Sequence, residues 1–274
     1  MKFAYYIKKA GLLTNPELDK LFMALQSAGV SLYQVSSPSE VREGTDALLS
    51  LGGDGTFLSA AAIAVPCDLP ILGVNFGRLG FLSELKPSEL AKAIGDAEFL
   101  IEERELLQVR SDVGMPADFW PYALNEASIS RVSASMLGID VEVDGSALPT
   151  YWADGLLVAT SSGSTAYSLS VGGPICTPDS KLFIVSPISP HNLNVRPLIV
   201  PLTSKIRIKL RSRDDSAVFT MDNRNYTVPA NISLELCSAP VRLKRMSLGD
   251  SNFINALRSR LLWGQDVRNG SESY

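Results

Sequence analysis

The chain has 274 residues, of which 46% are hydrophobic and 20% charged, and its net charge of −4 disfavours a general nucleic-acid-binding protein. Three widely spaced cysteines and a single histidine make a Cys/His zinc site implausible and favour a reducing compartment over a disulfide framework. No apolar run reaches transmembrane length, and two lysines interrupt the apolar N-terminus, so we expect a cytoplasmic protein that does not bind a membrane.

The first hundred residues alternate between strand-like and helix-like segments. Strands are predicted for KFAYYI, VSLYQV, DALLSL and LPILGVN. Helices are predicted for NPELDKLFMALQSAGV, where Asn15 is the N-cap and Gly29 ends the helix, and for TFLSAAAIAV and KPSELAKAIGDAEF. This alternation predicts an α/β domain over residues 1–100, in which helices cover a parallel sheet.

The character of the sequence changes near residue 100. Short alternating or β-branched segments now follow one another between turn residues: RELLQVR, YALNEASIS, LGIDVEVDGSAL, GLLVAT, KLFIVSPI, KIRIKL, SAVFTM and ISLELC. Residues 101–250 are therefore predicted to form an all-β, sandwich-like domain. Helical spacing returns in SNFINALRSRLLWGQDVR, so residues 251–274 are predicted to form a C-terminal helix that ends at Gly264, followed by a frayed tail.

The stretch LLSLGGDGTFL places one carboxylate, Asp54, between glycines at the end of a buried strand and just before a helix. Ligands of open parallel sheets bind outside the carboxyl ends of the strands, and glycine N–H groups beside a helix N-terminus suit phosphate oxygens. An acid at such a place could coordinate a metal ion or accept a proton from an attacking hydroxyl group. A tight turn in which Asp54 is only the N-cap of the helix is an equal alternative.

Asn125 and Glu126 form a second polar group, inside the apolar segment YALNEASIS. Neighbours on a strand point to opposite faces, so at least one of the two would face the interior unless the strand ends there. The pair could hydrogen-bond the hydroxyls or the amide of a ligand. An edge or loop position that faces water is the alternative, and the segment taken alone favours it, because a buried carboxylate without a partner is costly.

A third polar region covers residues 151–175, YWADGLLVATSSGSTAYSLSVGGPI. It combines Asp154, a turn rich in serine, threonine and glycine, and the aromatic residue Tyr167. Small polar groups reach phosphates and ribose, and an aromatic ring stacks on a base, so the region predicts a nucleotide site. The alternative is a polar loop between strands, which the length of the region and its density of hydroxyl groups disfavour.

Taken together, these segments resemble the NAD kinase family. GGDGTFL, GVNFGRLGFL, NEASIS, DGLLVATSSGSTAYSLSVGGPI and PISPHNLNVRPLIV occur in that family's order and spacing, and LRSRLLWGQDVR resembles its C-terminus. GGDG alone is weak evidence, because diacylglycerol and sphingosine kinases carry it too, whereas its combination with NE and GSTAY is specific.

The resemblance implies an activity and an organisation. The activity is transfer of a phosphoryl group from ATP, or from polyphosphate, to the 2′-hydroxyl of the adenosine ribose of NAD, with a divalent cation, Mg²⁺. The fold would be an α/β domain followed by a β-rich domain, with the C-terminal segment packing back on the first. The family also implies a homodimer or homotetramer in which the NAD site draws on a neighbouring subunit.

The resemblance also assigns roles to individual residues. Asp54 is expected to accept the proton of the 2′-hydroxyl, and Asn125 and Glu126 to bind ribose hydroxyls. Asp154 is expected to contact the nicotinamide half, and Phe81 to pack on the adenine part of the site. The remaining expected binding residues are Gly55, beside the acid, and those that line the adenine and phosphate region, with Tyr167 near the base: Ser162, Thr165, Ala166, Tyr167, Ser168, Leu169 and Ser170.

Four positions depart from the family pattern. An Arg often follows GGDGTFL, where this chain has Ser59, and many members have Arg or His at the position of Trp152. Many have Pro where Ser161 stands, and Arg224 replaces a Gln or another polar residue. The loss of a basic residue at two of these positions bears on how phosphates are contacted and leaves the role of the GGDG acid untouched.

Two other functions compete with an NAD kinase. A lipid kinase of the diacylglycerol type shares the glycine–acid turn and a two-domain plan, but NEAS, GSTAYS and the lack of an obvious acyl-binding stretch argue against it. A regulatory protein that binds a nucleotide without turnover is disfavoured by the complete set of motifs.

Overall fold

The computed structural model describes residues 1–94, 99–249 and 252–263, and the chain divides into two compact units. Unit 1 comprises Met1–Glu103 and Lys244–Tyr274, and unit 2 comprises Arg104–Leu243. No helix within the described residues is long and apolar enough to cross a membrane.

The described elements alternate early in the chain and become mostly strands later. The helices are α1 (Pro16–Ser27), α2 (Asp54–Ala64), α3 (Pro87–Ala93), α4 (Tyr167–Ser170) and α5 (Phe253–Leu261). The strands are β1 (Lys2–Ile7), β2 (Ser31–Gln34), β3 (Ala47–Leu51), β4 (Ile71–Val74), β5 (Phe99–Ser111), β6 (Tyr122–Ala123), β7 (Glu126–Arg131), β8 (Leu137–Val143), β9 (Ser146–Ala147), β10 (Tyr151–Ala153), β11 (Gly155–Thr160), β12 (Leu182–Ile188), β13 (Leu198–Pro201), β14 (Ile206–Arg211), β15 (Ser216–Met221), β16 (Arg224–Pro229) and β17 (Ser233–Leu248).

Unit 1 is the predicted α/β domain, and its fold class is confirmed. Strands β4, β3, β1 and β2 lie side by side in that order and are parallel, and the C-terminal end of β17 pairs parallel with β4 through Arg245 and Met246. Strands β3 and β4 are buried along their whole length, as is typical of parallel strands covered on both faces. The carboxyl ends of β1 and β3 therefore meet at one edge of this sheet.

The helices of unit 1 follow local capping signals. Asn15 caps α1 as predicted, because its side chain accepts a hydrogen bond from the backbone N–H of Glu17. Helix α3 is shorter than predicted and ends at Ala93, since Phe99 already belongs to β5 and residues 95–98 lie outside the described part of the chain. Helix α5 ends at Leu261, and its predicted end at Gly264 also lies outside the described residues.

Unit 2 is a sandwich of two sheets, as predicted. One sheet has the strand order β13-β12-β11-β7-β15-β16, and every pair in it is antiparallel. The other contains β10, β8, β14 and the N-terminal end of β17, with β5, β6 and β9 beside them. The core lies between the sheets, because buried side chains of both belong to one cluster, among them Val158, Phe183 and Phe219 from the first and Ile139 and Ile208 from the second.

Candidate active site

Asp54 lies where β3 ends and α2 begins. Gly52 follows the strand with φ 148°, a backbone conformation that glycine adopts readily, and Gly53 occupies the N-cap position of α2. Asp54 is thus the first helical residue and is half-buried. The alternative in which it only caps its own helix is wrong, because its carboxylate binds a different segment of the chain.

Three consecutive backbone N–H groups hold this carboxylate. Phe81 donates to Oδ2 at 2.8 Å, while Leu82 and Ser83 donate to Oδ1 at 3.1 and 2.9 Å. Gly80 packs so closely that a Cβ there would overlap the Asp54 carboxylate. An ionised carboxylate offers about four acceptor directions, so these contacts leave one on Oδ2 for a further donor such as a hydroxyl group. We call residues 80–83 the carboxylate loop.

The carboxylate loop is itself fixed by buried groups on β4 and just after it. Asn75 is buried, donates through Nδ2 to the carbonyl of Arg78 at 2.6 Å and to that of Ser83 at 3.3 Å, and accepts from the N–H of Gly77 at 2.9 Å. Gly73 allows close packing, because a Cβ there would lie 2.8 Å from Ser83 Cα. The N–H groups that donate to Asp54 are therefore held in place by Asn75 and by the close packing at Gly73.

A cation lies at the same edge of the sheet. Lys8 follows β1, whose last residue, Ile7, pairs with Leu51 at the end of β3. Its ammonium group donates to Ser59 Oγ at 3.0 Å, and that hydroxyl donates to the carbonyl of Gly55 at 3.1 Å. This end of α2 thus has the positive charge of Lys8 nearby, although Ser59, which stands where an Arg is often found, is uncharged.

In unit 2, Asn125 and Glu126 are buried, with exposed fractions of 8% and 7%. Strand β7, which begins at Glu126, is an interior strand that pairs with β11 on one side and β15 on the other. Asn125 lies in the bend just before this strand. The alternative in which the pair faces water is therefore wrong, because both side chains are buried. Burial of polar side chains is costly unless other groups compensate them.

Asp222 holds the backbone of this pair, and sequence reasoning missed it. Its carboxylate accepts hydrogen bonds from the N–H groups of Leu124, Asn125 and Glu126 at 2.9, 2.8 and 3.3 Å. Asp222 has φ 51° in the turn between β15 and β16, and its own N–H donates to the carbonyl of Glu126 at 2.9 Å. The only sequence signal was an acid in the turn-like segment MDNRN.

The Glu126 carboxyl group is electrostatically unusual. Burial and the nearby charge of Asp222 raise the pKa of Glu126 to about 8, while the backbone N–H of Tyr167 opposes the shift. Within the described part of the chain, its Oε2 atom is buried without a hydrogen-bond partner. A neutral carboxyl group at this place can donate a hydrogen bond to a ligand.

The Ser/Thr/Gly-rich turn after β11 packs on this pair. The N–H of Thr160 donates to the carbonyl of Asn125 at 2.8 Å, and the Thr160 hydroxyl donates to that of Leu124 at 2.5 Å. A Cβ at Gly163 would overlap the Asn125 backbone, so only glycine fits there. The turn leads into α4, where Tyr167 is 43% exposed. Its exposed ring remains available to stack on a base.

The other predicted binding residues of unit 2 differ in exposure. Asp154 is partly exposed and forms an ion pair with Arg131, with Nε and Oδ1 2.7 Å apart. Ser168 is fully buried, and its hydroxyl has no partner among the described residues. Ser162, Thr165, Ala166 and Leu169 are partly buried, and Ser170 is exposed.

The other three residues that depart from the family pattern, like Ser59, have structural contacts. The Ser161 hydroxyl donates to the carbonyl of Pro178 at 2.9 Å, a contact that a proline at this position would lack. Arg224 donates to the carbonyl of Trp120 at 2.7 Å and lies over the ring of the same residue. Trp152 is 46% exposed, and its carbonyl accepts from the N–H of His191.

The predicted residues thus form two groups. Unit 1 carries Asp54, Gly55 and Phe81, and unit 2 carries the NE pair, Asp154 and the turn from 162 to 170. No group of three or more His, Cys, Asp or Glu side chains within residues 1–94, 99–249 and 252–263 is placed to hold a metal ion. Magnesium usually binds through one or two carboxylates together with substrate phosphates.

Both halves of the chain match models of one family. The ATP-NAD kinase N-terminal domain matches residues 28–98, and the ATP-NAD kinase C-terminal domain matches residues 124–247. An NAD kinase of Porphyromonas gingivalis is 44% identical over 230 residues, which cover 82% of this chain and 79% of the relative. An NAD kinase of Cytophaga hutchinsonii is 40% identical over 228 residues, which cover 82% and 78%.

Solved structures share the fold. A yeast NADH kinase complexed with NADH superposes with a TM-score of 0.83 at 22% identity, over 99% of this chain and 90% of that one. An NAD kinase from Archaeoglobus fulgidus in complex with ATP gives a TM-score of 0.72 at 28% identity, over 89% and 93%.

Proposed function

The chain belongs to the NAD kinase family, and on that premise we propose that it transfers the terminal phosphoryl group of ATP to the 2′-hydroxyl of the adenosine ribose of NAD, with Asp54 as the general base. The lipid-kinase alternative is not favoured, because the family models and the curated relatives are those of NAD kinases. The observation that carries the role of Asp54 is its carboxylate, held by three N–H groups with one acceptor direction left.

The chemistry requires alignment and charge neutralisation more than covalent help. A ribose hydroxyl is a poor nucleophile at neutral pH, and a carboxylate within hydrogen-bond reach removes its proton as the new P–O bond forms. In this proposal the remaining acceptor direction of Asp54 Oδ2 receives the 2′-hydroxyl proton. The N–H bonds of the carboxylate loop keep that oxygen from rotating away during the transfer.

Unit 2 binds the dinucleotide in this proposal. Asn125 and Glu126 bind ribose hydroxyls, and the exposed ring of Tyr167 stacks on the adenine. Asp154, oriented by its ion pair with Arg131, contacts the nicotinamide half. Hydroxyl and backbone groups complete the adenine and phosphate contacts, from Ser162, Thr165, Ala166, Ser168, Leu169 and Ser170.

In this proposal the phosphoryl donor enters as its magnesium complex, and the bound ion would supply charge neutralisation at the transferring phosphoryl group. The chain contributes the N-terminus of α2 with Gly55 and the nearby ammonium group of Lys8, which attract the phosphate oxygens. Polyphosphate is proposed as an alternative donor, because these groups recognise phosphate oxygens and not a base.

The assembly and the compartment are further parts of the proposal. We infer a homodimer or homotetramer whose NAD site draws on a neighbouring subunit, and a cytoplasmic location. Light scattering of the purified protein tests the assembly, and fractionation of the source cells tests the location. A monomer with full activity would contradict the shared site.

Replacing Asp54 with asparagine tests the proposed base. We expect Asp54→Asn to lower kcat for NADP formation by roughly 10²–10⁴-fold, because asparagine cannot accept the hydroxyl proton. NAD binding, measured by isothermal titration calorimetry, should stay within a few-fold of the wild type. Asp19→Asn makes the same chemical change on the exposed face of α1 and serves as the matched control. Turnover of Asp54→Asn near the wild-type rate would refute the assignment.

A further inference from the structure

Helix α5 contacts the carboxylate loop through one side chain in particular. The guanidinium carbon of Arg260 lies 5.3 Å from the ring centroid of Phe81, within cation–π range. Its Nη2 atom lies 3.1 Å from Glu84 Oε2. Phe253, on the same helix, packs its ring 6.3 Å from that of Phe81.

These contacts bracket the N–H groups that hold Asp54. Phe81 is the first of the three donors, and Glu84 directly follows the third. Arg260 therefore contacts the chain on both sides of the donor segment. Glu84 also pairs with Arg245, whose guanidinium in turn binds Glu102 at 3.0 Å. The loop is therefore fixed to an ion-pair network on one side and to an aromatic contact on the other.

The two arginines of the network are shielded from water. The side chain of Arg260 is 14% exposed and that of Arg245 is 3% exposed, so both differ from ordinary surface arginines. Ion pairs on a protein surface contribute little, whereas breaking a shielded pair leaves an uncompensated charge and displaces its neighbours. A side chain in this setting constrains the segment that it binds.

We propose that Arg260 is a positioning residue for the general base: it fixes Phe81 and Glu84 so that the N–H groups of the carboxylate loop hold the Asp54 carboxylate in its reactive orientation. The inference rests on the proposed function, because Asp54 acts as the base. It adds that the C-terminal helix, about 200 residues away along the chain, controls the chemical step. A small displacement of a catalytic group is enough to cost about 10²-fold in rate.

Kinetics and hydrogen exchange test the proposal separately. The variants are Arg260→Ala, the conservative Arg260→Lys, and Arg258→Ala as the matched control, an exposed arginine on the same helix. Exchange is followed without substrates in peptides covering residues 77–85. Each variant is also combined with Asp54→Asn, which removes the proposed base.

We expect Arg260→Ala to lower kcat by about 10–100-fold with the KM for ATP within twofold, and Arg260→Lys to recover most of the loss. In the Asp54→Asn background, Arg260→Ala should change kcat by less than threefold, because it acts through that carboxylate. The N–H groups of the loop should exchange at least tenfold faster in Arg260→Ala and at the wild-type rate in Arg258→Ala.

Two results would overturn the proposal. One is loop exchange in Arg260→Ala equal to that of the wild type. The other is a fully multiplicative loss of kcat in the double variant, which would mean that Arg260 acts independently of Asp54. A wild-type protein that forms no NADP would refute the proposed function instead, and the exchange experiment would still decide whether Arg260 holds the loop.

Discussion

At the scale of single residues, Glu126 and Asp222 are two buried carboxyl groups that lie close enough to interact. Asp222 accepts three backbone N–H bonds, whereas one oxygen of Glu126 has no partner among the described residues. Burial raises the pKa of both groups, and the charge of Asp222 adds to the rise in the pKa of Glu126, to about 8. The three N–H groups stabilise the charged form of Asp222, so we assign the proton at neutral pH to Glu126, which can then donate a hydrogen bond to the ribose hydroxyl that it is proposed to bind.

This pair predicts a specific dependence of stability on pH. Between about pH 4.5 and pH 8 the folded chain holds a proton on Glu126 that the unfolded chain has released, so the free energy of unfolding falls as the pH rises through this window. One group contributes a slope of at most about 1.4 kcal/mol per pH unit. Glu126→Gln should remove this part of the slope, as urea unfolding at several pH values would show.

The control for that experiment is Glu17→Gln, on the exposed face of α1, which should leave the slope unchanged. A Glu126→Gln variant with the wild-type slope would show that Glu126 is ionised in the folded protein at neutral pH.

At the scale of elements, an aspartate carboxylate that accepts three backbone N–H bonds fixes each of two irregular segments. Asp54 binds three consecutive N–H groups of the carboxylate loop, and Asp222 binds three consecutive N–H groups that lead into β7. Segments that leave regular structure have unpaired backbone donors, and one carboxylate satisfies several of them at once. Each aspartate thus orders a segment that carries proposed site residues.

Close packing of the turn after β11 predicts the effect of a single methyl group. In Gly163→Ala the new Cβ would overlap the Asn125 backbone, so β7 or the turn must move. We expect a loss of about 1–3 kcal/mol in the free energy of unfolding, the usual cost of overpacking, and weaker NAD binding. Gly114→Ala adds the same methyl group where nothing lies within 4 Å and should be neutral in both measurements. Equal effects of the two substitutions would contradict this role for the turn.

The sequence predicts what is local and periodic in this fold. Alternation, capping residues and glycines were sufficient for α1, for the buried strands β3 and β4, and for the strand-rich second unit. Strand β17 was predicted only as far as Cys237, but it continues to Leu248. Pro240 and the charged residues after it are not typical of a strand. In this part of β17 exposed and buried side chains do not alternate regularly, so the period of two that predicts a strand is absent.

In the candidate site, too, the sequence predicts local features but not long-range contacts. The motif GGDG identified Asp54, but not its hydrogen-bond donors, which lie 27 to 29 residues away. Asp222 lies 97 residues from the N–H of Asn125, and Arg260 lies 176 residues from Glu84. The burial of the NE pair was also missed, because only the neighbouring strands β11 and β15 make β7 an interior strand. Contacts of this range depend on the assembled sheets and leave no local signature.

At the scale of the whole molecule, the two units carry different parts of the proposed reaction. Unit 1 contains the base and the groups proposed for the donor phosphates, and unit 2 contains the groups proposed for the dinucleotide. Binding of NAD and transfer of the phosphoryl group should therefore be separable. Because magnesium is proposed to enter with ATP, removing it should stop transfer without releasing NAD.

Thermal melting with and without EDTA tests this separation. NAD at about 100 times its dissociation constant should raise the free energy of unfolding by about 2.7 kcal/mol, and the melting temperature by roughly 5–10 °C. We expect the same shift in EDTA and in Asp54→Asn, while EDTA abolishes NADP formation and added MgCl₂ restores it. Nicotinamide mononucleotide, which lacks the adenosine half, is the control ligand and should give a smaller shift, because the turn from 162 to 170 is proposed to bind that half. An NAD shift that disappears in EDTA would place the metal in dinucleotide binding and contradict its entry with ATP.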